Sequence, residues 1–188
     1  MLFMVCAKPD PGRTGLLQLG AVALGLWLSI ADPARAQRPT DCPVQGRETQ
    51  PYRNTRWGVS LMRHPGFVLD PGSVTPNGDS VRFWTADRRA TAVVTSLRQR
   101  ADQSILDLLA EARQDILVNS RGEITYQRRR DNWFVLSGYV AGRIFYQRTF
   151  LARDRQATST LLVEFPRDML PCFDRAVTTM SLSFREWP

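Results

Sequence analysis

Hydrophobic spacing along this chain changes period several times, and each change marks an element. Trp57, Val59 and Leu61 alternate with Gly58 and Ser60, which predicts a strand that opens at Trp57 and closes at His64-Pro65-Gly66. The stretch through Pro71-Gly72, Pro76 and Asn77-Gly78-Asp79 carries turn chemistry and reads as a long loop. A strand resumes over 81–85, Asp87-Arg88 turns it back, and Ala92, Val93 and Val94 supply its partner. Over 104–118 the spacing becomes helical, with Ile105, Leu108, Leu109, Ala112 and Ile116 on one face, and Ser104 with Asp107 form an N-terminal capping pair.

Gly122 marks the exit of that helix. Three strand-like runs follow at 123–128, 133–140 and 143–151, the last two joined at Ala141-Gly142, a link short enough to require antiparallel neighbours. The polar turn Arg153-Asp154-Arg155-Gln156 leads to a further strand at 159–165. A second helix closes the chain, with Pro171 in its first turn and Phe173, Ala176, Val177, Met180 and Phe184 as its buried stripe. Strands, a helix, a meander and a final helix predict the α+β class, a mainly antiparallel sheet flanked by two helices.

The first residues follow a different logic. Lys8 and Arg13 precede an uncharged stretch over 14–31 whose densest apolar run is 19–30, and Pro33 then introduces Ala34-Arg35-Ala36. This is the pattern of a cleaved secretory leader, with the cut between Ala36 and Gln37. The alternative is an uncleaved anchor, because 18 uncharged residues reach the lower limit for a membrane span. Cys6 lies ahead of the apolar run, where a lipidated cysteine would have to follow it. The expected organisation is a signal peptide at 1–36, an extended N-terminal arm at 37–51 and a single α+β domain at 52–188.

Cleavage changes the chemistry that remains. Of 188 residues, 152 are left, and they carry 22 arginines, no lysine and 16 carboxylates, a net charge of +6. Such a surface suits anionic partners, an unknown envelope protein, lipid or glycan, and export argues against nucleic acid; the competing reading, a GC-rich genome that writes Arg for Lys, accounts for most of the arginine excess. Two of the three cysteines survive, Cys42 and Cys172, and in an oxidising compartment they are expected to pair.

Here the sequence resembles a known group. Tyr52-Arg53-Asn54 and Trp57-Gly58-Val59-Ser60 opening the domain, and the run from Trp133 to Tyr139 feeding a hairpin to Arg143-Ile144-Phe145-Tyr146, resemble small secreted proteobacterial proteins of unassigned function. Those look like members of the PsbP-like α/β/α sandwich fold, and the resemblance covers about 52–184. Where related proteins carry an aromatic residue before the proline ending the first strand, this chain has His64. The resemblance implies a fold shared by photosystem accessory proteins, a small-GTPase-binding protein and bacterial lipoproteins, whose common theme is binding.

Several chemistries are closed to the mature sequence. Without lysine there is no Walker lysine, Schiff base or serine–lysine dyad, and with His64 as the one histidine no two-histidine metal site exists. No cofactor is expected. Asp107 and Glu111 share a helical face too closely for a glycosidase pair, Asn77-Gly78-Asp79 lacks the ligand pattern of a calcium loop, and His64 reads as a strand-end residue. The expected function is an exported, periplasmic, non-enzymatic accessory or binding protein, a monomer or weak oligomer. The alternatives are a small envelope-directed hydrolase and a membrane-anchored surface domain. One constellation has a functional flavour: Arg128, Arg129 and Arg130 beside Tyr126 and Trp133. In a strand, Arg128 and Arg130 project together, so these two with Trp133 or Tyr126 form the candidate anion contact. The competing role is to protect an exposed strand edge from mispairing.

Overall fold

Among residues 41–100, 102–152 and 157–187, which a computed structural model describes, the chain forms ten strands and two α-helices. In chain order these are β1 (Gln50–Asn54), β2 (Val59–Arg63), β3 (Phe67–Leu69), β4 (Ser80–Thr85), β5 (Thr91–Arg98), α1 (Ile105–Gln114), β6 (Glu123–Arg129), β7 (Trp133–Val140), β8 (Arg143–Leu151), β9 (Ala157–Pro166), α2 (Leu170–Ser183) and β10 (Arg185–Glu186). The expected leader at 1–36, its cleavage pair Ala36 and Gln37, and the polar turn at 153–156 lie outside the described residues.

Two antiparallel sheets result. A small one has the order β1-β2-β10, and a seven-stranded one has the order β3-β4-β5-β9-β8-β7-β6. The 133–140 and 143–151 runs appear as β7 and β8, joined by a tight turn in which Ala141 and Gly142 both take positive φ, 48° and 78°. That turn matches the twist of the flanking strands and locks their register from Val140↔Arg143 onward.

Helices cover both faces of the large sheet. On one face Val81, Phe83, Val94, Leu161, Val163 and Phe165 pack with Phe173, Val177 and Met180 of α2 and with Val59 and Leu61 of β2. On the other, Phe134, Leu136, Phe145 and Leu151 meet Ile105, Leu109 and Ile116. This split follows from strand geometry: side chains alternate faces, so Phe134 and Leu136 serve one core while Trp133 packs against the other. The capping box at α1 is formed, with the Ser104 hydroxyl accepting from Asp107 N–H and the Asp107 carboxylate accepting from Ser104 N–H. Beyond Gln114 the helix loosens into one π turn, Asp115–Asn119, closed by Ser120 N–H donating to Asp115 O at 2.8 Å.

Three local expectations need correction. The first strand is β1, ahead of Trp57, and Trp57 stands in the β1–β2 turn, which Gly58 completes with φ of 59°. Of β1 only Tyr52 and Asn54 are half-buried, so it carries no apolar alternation, and Pro51 is tolerated on a sheet edge. A short strand, β3, also follows His64-Pro65-Gly66 and is invisible to periodicity because only Phe67 of its three residues is buried. Phe184 is fully buried but caps α2 instead of lying within it.

The N-terminal segment is anchored by few residues. Cys42 and Val44 are buried while 45–49 are at the surface, and Cys42 is disulfide-bonded to Cys172 at the start of α2, with Cα atoms 5.6 Å apart. A Cβ on Gly66 would fall 2.1 Å from the Pro43 carbonyl oxygen, so the segment crosses β3's entry at a distance only glycine permits.

Candidate functional site

The Arg128 region lies on β6, an edge strand of the large sheet. A β-bulge between Ile124 and Tyr126 shifts the register, so that Tyr126 pairs with Ser137 and Arg128 with Val135. Tyr126 and Arg128 therefore share the face that carries Trp133, while Gln127 and Arg129 face the α1 side, where Arg113 donates to the Gln127 side chain. The Arg128 guanidinium lies 5.9 Å from the Trp133 ring centroid. Arg130 N–H donates to Trp133 O at 2.8 Å and closes the β6–β7 pairing. Residues 126, 128 and 133 thus form one row at an exposed edge, which also places the charges where they would oppose strand mispairing.

A further member comes from β8. Val135 pairs on its other side with Arg148, whose guanidinium lies 4.6 Å from the same Trp133 ring. Arg148 is half-buried, burial pushes its pKa down, and its Nε is buried with no hydrogen-bond partner. Sequence spacing alone misses it, 20 positions from Arg128. The signal that finds it is the Ala141-Gly142 turn, which sets Arg148 opposite Val135. Tyr146 lies one step along the same face and accepts from the Ser181 hydroxyl of α2 at 3.0 Å.

Electrostatically, arginines here are stacked more than paired. Among the described residues the ion pairs are Arg89–Asp168, at 3.1 Å, and Arg100–Glu111, both exposed. Guanidiniums instead cover aromatic rings, Arg88 on Trp84 at 4.1 Å and Arg167 on Tyr139 at 3.5 Å among them. Trp133 carries two, so positive charge concentrates there, with no carboxylate of the described residues in ion-pair contact.

The catalytic alternatives have other employment. His64 is buried; its Nδ1 accepts from Gly66 N–H at 3.0 Å, which leaves the proton on Nε2 for Gln45 O at 2.8 Å. The space beside it amounts to about 10 Å³. Asp107 is spent on the helix cap, its pKa lowered by the Ser104 hydroxyl and amide, and Glu111 pairs with Arg100 and accepts from Gln103. Among the described residues no three His, Cys, Asp or Glu gather to hold a metal, and no helix is long and apolar enough to cross a membrane.

Among the described residues, two larger concave regions meet at Leu97 and Arg98. One, of about 560 Å³, runs between α1 and the sheet over Gln147, Thr149, Thr158 and Thr160. The other, of about 490 Å³, lies at the loop end of β5.

Comparison with known proteins fixes the class of fold. No protein-family model matches the sequence, and no curated protein matches it. Among solved structures, the cyanobacterial PsbP protein (CyanoP) of Synechocystis superposes with a TM-score of 0.57 at 17% identity, over 77% of this chain and 95% of its own. The Ran-binding protein Mog1p of Saccharomyces cerevisiae gives 0.58 at 7% identity, over 75% and 96%. The chain therefore has a PsbP-like α+β fold, two helices on antiparallel sheets. At these identities the likeness concerns the fold alone.

Proposed function

We propose that the protein is exported and acts as a non-enzymatic accessory or binding protein that docks an anionic partner of the cell envelope. The contact is Arg128, Arg130 and Arg148 around Trp133, with Tyr126 at the margin. The observation that carries it is the convergence of two guanidiniums on one indole with no facing carboxylate among the described residues, one of them half-buried with an unpartnered Nε. An exposed charge needs no partner, but a half-desolvated guanidinium is stabilised by an anion that restores its hydrogen bonds. A structural neighbour that is a Ran-binding protein supports a binding role for this fold.

Co-sedimentation of the mature protein with phosphatidylglycerol vesicles, and in parallel with an acidic polysaccharide, tests the contact. Near an anionic surface each arginine contributes about 1 kcal/mol, so Arg128→Ala with Arg130→Ala should weaken binding about thirtyfold and leave thermal unfolding nearly unchanged. Binding should fall as salt shortens the Debye length below about 8 Å. Equal retention of variant and wild type at low salt would reduce these arginines to edge protection.

A further inference from the structure

The groove of about 560 Å³ between α1 and the sheet has a floor that departs from the core around it. On β8, Phe145 and Leu151 pack into the α1-side core, yet Gln147 and Thr149, which stand between them on the same face, are polar. Across the pairing, β9 sets Thr160 opposite Thr149 and Thr158 opposite Leu151. Apolar side chains at these positions would complete the core beneath α1. The residues present instead give the groove a polar floor.

That floor is bonded internally and keeps capacity toward the groove. Gln147 donates one side-chain N–H to Thr149 Oγ1 at 3.2 Å, and the Thr149 and Thr160 hydroxyls share a hydrogen bond at 2.9 Å. Gln147 therefore retains a second N–H and its carbonyl oxygen, and Thr160 retains either its proton or a lone pair. Both residues are half-buried, so a ligand in the groove reaches them. The walls are apolar: Leu108 and Ala112, four positions apart on one face of α1 and half-buried, and Leu97, 57% exposed. Charges at the rim balance, Arg98 and Arg100 against Glu111 and Asp115. Arg100 is paired with Glu111, and Asp115 accepts from the Asn119 side chain at 2.7 Å.

We infer that this groove binds an uncharged amphiphile, an alkyl chain that ends in an amide or a hydroxyl. The head group donates and accepts at Gln147 and Thr160, and the chain lies along Leu97, Leu108 and Ala112. A charged head would lose hydration without compensation, because the rim offers no surplus of either sign. The volume falls in the range of small-molecule sites, which combine apolar walls with a few placed polar groups. The groove lies on the α1 face of the sheet, opposite to Trp133, and the inference stands whether or not the Trp133 surface binds anions.

Titration of 15N-labelled protein with hexanamide and with hexanol, followed at the side-chain amide of Gln147, tests the assignment. Saturable shifts of that resonance are expected, with hexanoate and hexylammonium, which keep the chain and carry a charge, each at least tenfold weaker. Acetamide, which keeps the head and lacks the chain, should give no saturable shift. Thr160→Val keeps the shape of the floor, removes its hydroxyl and should weaken hexanamide at least fivefold. Leu97→Ser, at an exposed strand end, should weaken both hexanamide and hexanol and serves if Thr160→Val fails to fold. No shift of the Gln147 amide into the millimolar range, hexanoate binding as tightly as hexanamide, or unchanged hexanamide affinity in the folded variants would overturn the inference.

Discussion

Removing the Cys42–Cys172 cross-link is the perturbation whose size follows most directly from the fold. The two residues are 130 positions apart, so the disulfide closes a loop that contains every strand from β1 to β9. In the chain-entropy treatment a loop of that length destabilises the unfolded state by about 5 kcal/mol relative to the open chain. For a domain of this size each kcal/mol moves Tm by about 2–4 °C, so the Cys42→Ala, Cys172→Ala variant should melt roughly 10–20 °C below the oxidised protein. Both sulfurs are buried, so the variant also loses packing. Reduced wild type keeps both sulfurs and isolates the cross-link. Calorimetry of the oxidised protein, the reduced protein and the variant should show the reduced protein losing most of the variant's drop. Gly66→Ala attacks the same segment from the other side, because its Cβ must displace the Pro43 carbonyl. If reduced wild type and the variant both melt within about 2 °C of the oxidised protein, the loop-closure reasoning is wrong.

Gly138→Ala would place a Cβ 1.8 Å from the Glu123 carbonyl oxygen and 3.0 Å from Ile124 Cα. Because both are backbone atoms of β6, the edge strand must move, at a cost of about 1–3 kcal/mol. Hydrogen exchange should show β6 amides losing protection while β9 keeps it. Tyr52, packed edge-on against Phe83 with centroids 5.3 Å apart, has its pKa raised by burial, with the Asn54 hydrogen bond opposing. The folded state then holds the phenolic proton longer than the unfolded chain, whose tyrosine titrates near pH ~10, so stability is lost as pH rises through and above ~10. Urea midpoints between about pH 8 and 11 should fall less steeply for Tyr52→Phe; parallel slopes would remove Tyr52 from that dependence.

Local period was enough to find most elements of this protein. α1, β7, β8 and α2 each carry an apolar face that repeats at its own spacing, and the capping pair at Ser104 and the turn at Ala141-Gly142 mark their ends. With only two cysteines after the expected leader, the disulfide partners were legible too. Strand alternation alone also places Arg128 on the face opposite to Arg129, as the β6–β7 pairing does. β1 and β3 escaped because so few of their side chains are buried that no period forms.

What only the tertiary structure decided is which distant residues meet. Arg148 joins Arg128 because both pair with Val135, one from each side. Trp57, Asp79 and Arg98 share a cavity because the β1–β2 turn, the loop before β4 and the end of β5 meet at one end of the sheet. A residue's own neighbours set its preference for helix or strand, over a few positions. Strand order and loop convergence are set instead by burying both faces of a seven-stranded sheet at once, and no window along the chain contains that condition.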